Sequence, residues 1–308
     1  MTDDFQYSNV SFIYIRVPSF IKDSLVDLSN YANYFLFSFE EYLFDTVEHL
    51  IIGILLYVAL CILLYFLSTW GLIGFTRNMR HARRVLFVTA HPDDEVMFFG
   101  PTILNYLQKP NCQVFLMCLS SGKNYGMDKI RTNELFESCK ILGIKEENIF
   151  LYNNTNLPDA MDVRWPVEII ARHVLYNVET FGITNIITFD RHGVSGHENH
   201  ISIYYAIANL ILDHRLPRTC GVFVLESVNI IRKYWLFLDI PISLIMSRFR
   251  CMRSLSQRRL IQQAMNKHKS QMVWFRMLYM IFSRYVLINT LQQINLVDIE
   301  LDYLEIED

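Results

Sequence analysis

Apolar and polar residues follow two rhythms along this chain, and one long interval follows neither. Between Glu48 and Arg77 there is no Asp, Glu, Lys or Arg, and the interval reads HLIIGILLYVALCILLYFLSTWGLIGFT. That exceeds the ~20 apolar residues a membrane-spanning helix needs, and Tyr65 and Trp70 suit a membrane interface. A buried core helix rarely runs this long without a charge. A cleaved signal peptide fits poorly, because the run is too long and Asp3 and Asp4 stand where positive charge is expected. One transmembrane helix is predicted over 50–75, after an N-terminal extension over 1–49.

From residue 84 onward, short β-branched runs alternate with helical segments. RVLFVTA (84–90), CQVFLMCLS (112–120), NIFLY, ITNIITF (183–189) and CGVFVLESV (220–228) read as strands. Helices are predicted over 95–109 with a kink at Pro101, over 128–144, around 165–180, and from about His197 to Asp213. This alternation argues for an α/β fold: a Rossmann-like, mostly parallel sheet with helices on both faces, preceded by the one transmembrane helix. Residues 84–230 carry that pattern.

Composition and charge change the picture locally. The apolar fraction of 52% is high, and its excess lies in the span; the net charge of −3 says little about partners. Six cysteines are scattered without CxxC pairs, which fits buried thiols in a reducing compartment. Arg77, Arg80, Arg83 and Arg84 follow the span, whereas Glu40, Glu41, Asp45 and Glu48 precede it. The positive-inside rule therefore places residues 77–308 in the cytoplasm and 1–49 on the lumenal or external side. Residues 231–276 carry bases from Arg232 to Arg276 against the single acid Asp239, around YWLFLDIPISLIM (234–246). Two readings stay open there: a membrane-facing segment, or a core element with a solvated basic rim. The acidic end, 291–308, reads as a solvated tail or a last strand.

Chemistry is concentrated at two predicted strand ends, where open α/β sheets bind ligands. RRVLFVTAHPDDEVMFFG (83–100) packs His91, Asp93, Asp94 and Glu95 behind the first strand. Helix capping explains one carboxylate there, and no histidine. TFDRHGVSGHENHISIYYA (188–206) follows another strand, with His197 and His200 spaced i, i+3 on one helical face. Imidazole and carboxylate aimed at one crevice suit Zn²⁺ with a coordination position open to water. No GxGxxG follows the first strand, so dinucleotide binding is a poor reading.

AHPDDE with a downstream GHENH resembles the LmbE-like metal-dependent deacetylase family. CLSSGKNYGMDKIRTNEL (118–135), LPDAMDVRWP (157–166) and HKSQMVWFRMLYMIFSRY (268–285) extend the resemblance over residues 84–290. They point to the branch acting on N-acetylglucosaminyl-phosphatidylinositol in glycolipid-anchor biosynthesis, single-span proteins of the endoplasmic reticulum membrane with a cytosolic catalytic domain. The extension before the span is a departure from that branch. The resemblance implies Zn²⁺, or another divalent metal, held by His91, Asp94 and His200. It implies Asp93 as the general base, and His197 as oxyanion stabiliser or proton donor. Arg131 is the expected phosphate partner, unless it forms a surface pair with Glu134. Asp159 and His268 are expected to line the sugar pocket, and Asp190 to orient a histidine from behind. The implied partners are the glycolipid and the membrane, with no nucleic acid. The alternatives are deacetylation of another N-acetylglucosamine conjugate and an inactive membrane scaffold, and the retention of all five histidine and aspartate residues argues against the scaffold.

Overall fold

The computed structural model describes residues 19–73, 82–122 and 126–307. Arg77 and Arg80 of the basic flank, residues 1–18 of the extension and residues 123–125 of the loop after the second strand lie outside the described residues.

In chain order the elements begin with α1 (Ser19–Thr69), β1 (Arg84–Thr89), α2 (Asp94–Met97), α3 (Gly100–Leu107), β2 (Gln113–Cys118), α4 (Asp128–Leu142) and β3 (Ile149–Leu151). They continue with α5 (Val167–Phe181), β4 (Asn185–Phe189), α6 (Gly193–Gly196), α7 (Glu198–Leu212) and β5 (Gly221–Leu225). The last third holds α8 (Ile230–Tyr234), α9 (Ile240–Met246), β6 (Phe249–Met252), α10 (Leu255–Met265), α11 (Trp274–Phe282), β7 (Ile288–Ile294) and α12 (Leu296–Glu307).

The chain divides into two units, one up to Tyr57 and one from Val58. The first is helix, the leading part of α1. This helix starts well before the predicted span, because carboxylates such as Glu40 and Glu48 interrupt apolarity without interrupting helix formation. It is long and apolar enough to cross a membrane. Its charge-free part, 49–69, rises ~30 Å, the thickness of a bilayer's hydrocarbon core.

The second unit is built on a seven-stranded sheet in the order β3-β2-β1-β4-β5-β7-β6. Strands β1 to β5 are parallel, with Val85 beside Val114 of β2 and Asn185 of β4. These strands are covered on both faces, so they read as continuous apolar runs. The expected mostly parallel sheet is present, with two antiparallel strands appended. Strand β7 pairs antiparallel with β5 and with β6. Its sequence, INTLQQI, is half polar and hides a central strand. Buried Asn289 in β7 accepts from the Thr102 N–H (3.1 Å) and hydroxyl (2.7 Å), and its amide donates to the Phe98 carbonyl (2.9 Å).

Two other expectations are corrected. The helix over 95–109 is two helices broken at Phe98–Phe99, because Pro101 fits only the first turn of a new helix. Residues 291–294 complete β7, and the acidic end forms α12, neither tail nor strand. Ile299 is buried, and Asp302 takes the Tyr204 hydroxyl and Arg191 (3.0 Å). The basic segment is woven into the sheet through β6. Arg253 donates to Asn105 (2.7 Å) and Gln108 (2.9 Å), and Arg232 and Arg284 both pair with buried Asp239. Within this unit the last turns of α1 also pack: Leu64 and Tyr65 lie against Ile240, Met252 and Ile288.

Candidate active site

Strand order reverses between β1 and β4, and the site forms beyond their carboxyl ends. After β1 the chain turns at once. Asp94 Oδ2 accepts the backbone N–H groups of Ala90 (2.9 Å) and His91 (2.8 Å), so its carboxylate closes the turn. Asp93 lies at φ 109°, a left-handed conformation that costs a non-glycine residue ~1–3 kcal/mol. Glu95 Oε2 holds it there by accepting the Asp93 N–H at 3.0 Å. His91, Asp93, Asp94, His197 and His200 all line one cavity of about 570 Å³.

Hydrogen-bond partners settle which imidazole nitrogens carry protons. His200 Nδ1 lies 3.1 Å from the Gly193 carbonyl, which can only accept, so Nδ1 is protonated and Nε2 keeps its lone pair. That Nε2 is buried with no hydrogen-bond partner among the described residues, 3.4 Å from Asp94 Oδ1. The ring plane is fixed by stacking on Phe189, centroids 3.9 Å apart. The Asn199 amide donates to the Val163 carbonyl (2.7 Å), so its oxygen faces His91 Nε2 (2.9 Å) and takes that proton. His91 Nδ1 is then the lone pair, 3.9 Å from Asp94 Oδ2. Two buried lone pairs converge on a carboxylate, an arrangement that calls for a cation. The three residues place ligand atoms within 4.8 Å of one another, and they fit a metal ion.

Beside this group stands Asp93, paired with Arg276 Nη1 at 2.7 Å. Burial pushes its carboxyl up to about 6 despite that arginine. His197 is only half-buried, and its Nδ1 accepts the Asn199 N–H at 3.3 Å. Burial lowers its pKa to about 4. At neutral pH it is an uncharged imidazole whose free Nε2–H is a hydrogen-bond donor.

The wall opposite is a chain of buried polar bonds. Asp159 Oδ1 lies 3.3 Å from His91 Nε2, and its Oδ2 takes Arg131 at 2.5 Å. Arg131 also donates to Gln271 Oε1 (2.5 Å), and the Gln271 amide donates to His268 Nδ1 (3.1 Å). His268 Nε2 donates to Glu95 Oε1 at 2.7 Å. Arg131 and Asp159 thus face the cavity already paired with each other, and Glu134 instead binds Ser270. A side chain on Gly122, at φ +76°, would fall on the Arg131 guanidinium, so this glycine of the SSGKNYG loop makes room for the arginine.

Two expected positions are corrected. His268 is fully buried behind the wall and lines no part of the cavity, because both its nitrogens are spent on Glu95 and Gln271. Among the described residues Asp190 binds no imidazole, and its Oδ1 accepts the backbone N–H of His192 (3.1 Å). It binds the Ser227 N–H (2.7 Å) and hydroxyl (2.6 Å), and Ser227 Oγ accepts the Val194 N–H (2.8 Å). It therefore pins the loop whose Gly193 carbonyl orients His200, two bonds removed. The sequence reading missed Asn199, Gln271 and Arg276. Asn199 lay in plain sight within GHENH, whereas Arg276 was one base among many.

Comparison with known proteins places these observations in context. Residues 86–211 match the family described as GlcNAc-PI de-N-acetylase (PIG-L). The N-acetylglucosaminyl-phosphatidylinositol de-N-acetylase of Bos taurus is 47% identical, over 68% of this chain and 82% of the relative. A probable enzyme of the same name from Dictyostelium discoideum is 36% identical, over 69% of this chain and 93% of its own. Among solved structures, the N,N'-diacetylchitobiose deacetylase of Pyrococcus horikoshii superposes with a TM-score of 0.53 at 15% identity, covering 75% of this chain and 91% of that one. That likeness concerns the fold.

Proposed function

The chain belongs to the GlcNAc-PI de-N-acetylase family, and we propose that it removes acetate from N-acetylglucosaminyl-phosphatidylinositol at a membrane. The observation that carries this reading is the convergence of the His91 and His200 lone pairs on Asp94, with Asp93 beside them. We assign His91, Asp94 and His200 as ligands of a divalent metal, zinc by the imidazole–carboxylate donor set. Bound there, such an ion supplies Lewis acidity toward a water and toward the acetamide carbonyl.

The residues of the chain do the rest. Asp93, ionised, accepts a proton from the water that attacks the carbonyl carbon. The uncharged His197 donates its Nε2–H to the oxygen as negative charge gathers there. Cleavage of the C–N bond needs a proton on nitrogen, and the proton held by Asp93 supplies it, so acetate and the free amine leave. Arg131 and Asp159 present a guanidinium and a carboxylate to the sugar and its inositol phosphate. Because Asp159 already offsets Arg131, the pair suits hydroxyl recognition better than capture of the phosphate alone.

The apolar helix α1 and the arginines after it support a single span with the site on the cytoplasmic side. Names of the relatives support glycolipid-anchor biosynthesis, and with it the endoplasmic reticulum. The test is acetate release by the full chain from vesicles containing the glycolipid, beside free N-acetylglucosamine. Turnover of the glycolipid is expected to dominate; equal turnover of the free sugar would point to another N-acetylglucosamine conjugate.

A further inference from the structure

Helix α11 has an amphipathic pattern inverted for a surface in water. Trp274, Phe275, Met277, Leu278, Ile281 and Phe282 fall on one face at helical spacing, and all six are exposed. The inward side carries buried Tyr279 and Met280, together with Arg276, the one charged residue of the helix. A helix on a soluble domain turns its polar side outward. A contiguous apolar face of this size marks a contact surface.

Three observations identify what covers it. Val273 and Phe275 line the active-site cavity, so the apolar face runs into the rim through which substrate must pass. Helix α9 exposes Ile245 (86%) and Met246 (69%), while Leu244 of the same helix packs on the Ile240–Met252–Ile288 cluster that Leu64 and Tyr65 near the end of α1 also cover. A helix able to cross a membrane therefore ends against the domain that carries these side chains, and a bilayer is always within reach. Bases flank α11 as well. Lys269 is exposed just before it, and Arg258 donates to the Met280 (3.0 Å) and Ile281 (2.5 Å) carbonyls near its end. Cations around an apolar, tryptophan-bearing face suit phospholipid headgroups over acyl chains.

Resting on the reading of the substrate as a membrane glycolipid, we propose that α11 lies in the headgroup–acyl boundary of the bilayer with its apolar face in lipid. The cavity mouth then opens onto the lipid surface, and the headgroup reaches the site while its chains stay in the membrane. Because Arg276 projects from the inner side of the same helix, the docked helix also presents this arginine to Asp93.

Vesicle binding is uninformative here, since α1 anchors the chain regardless. The test reconstitutes the full chain in phosphatidylcholine–phosphatidylinositol vesicles and compares its tryptophan fluorescence with that of Trp274→Phe, so that the difference reports Trp274. Brominated phosphatidylcholine is expected to quench that difference, and aqueous iodide to leave it. Quenching by iodide would overturn the proposal, as would shielding from both quenchers, which would mean that protein covers the face. Independently, Leu278→Glu with Phe282→Glu is expected to lower turnover of vesicle-embedded glycolipid ~10-fold or more and to spare a short-chain soluble analogue. Unchanged turnover in vesicles would overturn the proposal. If the unsubstituted chain released acetate from neither substrate, the substrate reading would fall, and the lipid contact of Trp274 would still be decided by quenching.

Discussion

Arg276 Nη1 stands 2.7 Å from Asp93 Oδ2, joining the exposed apolar helix α11 to the carboxylate that strained backbone holds in the site. The pair sets the sign of a pH effect. A carboxyl must be ionised to accept a proton, so kcat/KM should fall as pH drops through about 6, where burial puts Asp93. Arg276→Gln removes a cation that favours the ionised form, so Asp93 should titrate higher and the acid limb move to higher pH. The pH profile of acetate release from a soluble analogue measures this; an unmoved limb would detach Arg276 from the base.

Asp93 should also weaken the fold where it is ionised. Its folded pKa lies above the usual carboxylate value, so the folded state binds the proton more tightly and loses stability as pH rises from about 4 through about 6. Asp93→Asn is therefore expected to raise Tm near neutral pH and to change it little in acid. The same variant should lose ~10²-fold or more in turnover. Calorimetry at the two pH values, beside an activity assay, checks both effects.

Ligand and base should separate by metal content. Strong chelation is expected to abolish activity, and zinc to restore it. His200→Ala removes one of the two convergent lone pairs and should lower bound metal, measured by elemental analysis of the folded protein. Asp93→Asn should keep it. Equal loss of metal in Asp93→Asn and Asp94→Asn would show that the two adjacent carboxylates share one role.

Gly122→Ala places a methyl group on the Arg131 guanidinium in a backbone conformation that disfavours any side chain. Loss of the Arg131–Asp159–Gln271 contacts should follow. KM for the glycolipid should rise toward that of Arg131→Ala, with metal content intact. A Gly122→Ala protein with unchanged KM would mean that the arginine can bind from another position.

His268→Ala removes the imidazole N–H from buried Glu95 and leaves it the Ser138 hydroxyl and the Asp93 N–H. Losing one hydrogen bond to a buried charged acceptor costs ~1–3 kcal/mol, so a fall in Tm is expected with little change in KM. The opposite result, a raised KM at unchanged Tm, would return His268 to the sugar pocket.

What the sequence determined by itself is what short-range pattern can carry. Strands β1 and β4 are buried on both faces, so each appears as an unbroken apolar run that announces itself. His91 to Asp94 and His197 to His200 each fall within a few residues beyond such a run, and strand ends of one parallel sheet point the same way. Those two facts brought His91, Asp94, His197 and His200 to one crevice without coordinates. The tertiary structure decided the rest. Helix α11 bringing Arg276 onto Asp93, and Gln271 meeting Arg131, join segments that no periodicity links, and β7 stayed hidden because its polar Asn289 is satisfied by Thr102 and the Phe98 carbonyl. Which nitrogen of His91 and of His200 faces Asp94 depends on the Asn199 amide and the Gly193 carbonyl. The identity of a histidine names a possible ligand atom, and only its hydrogen-bond partner chooses between the two nitrogens.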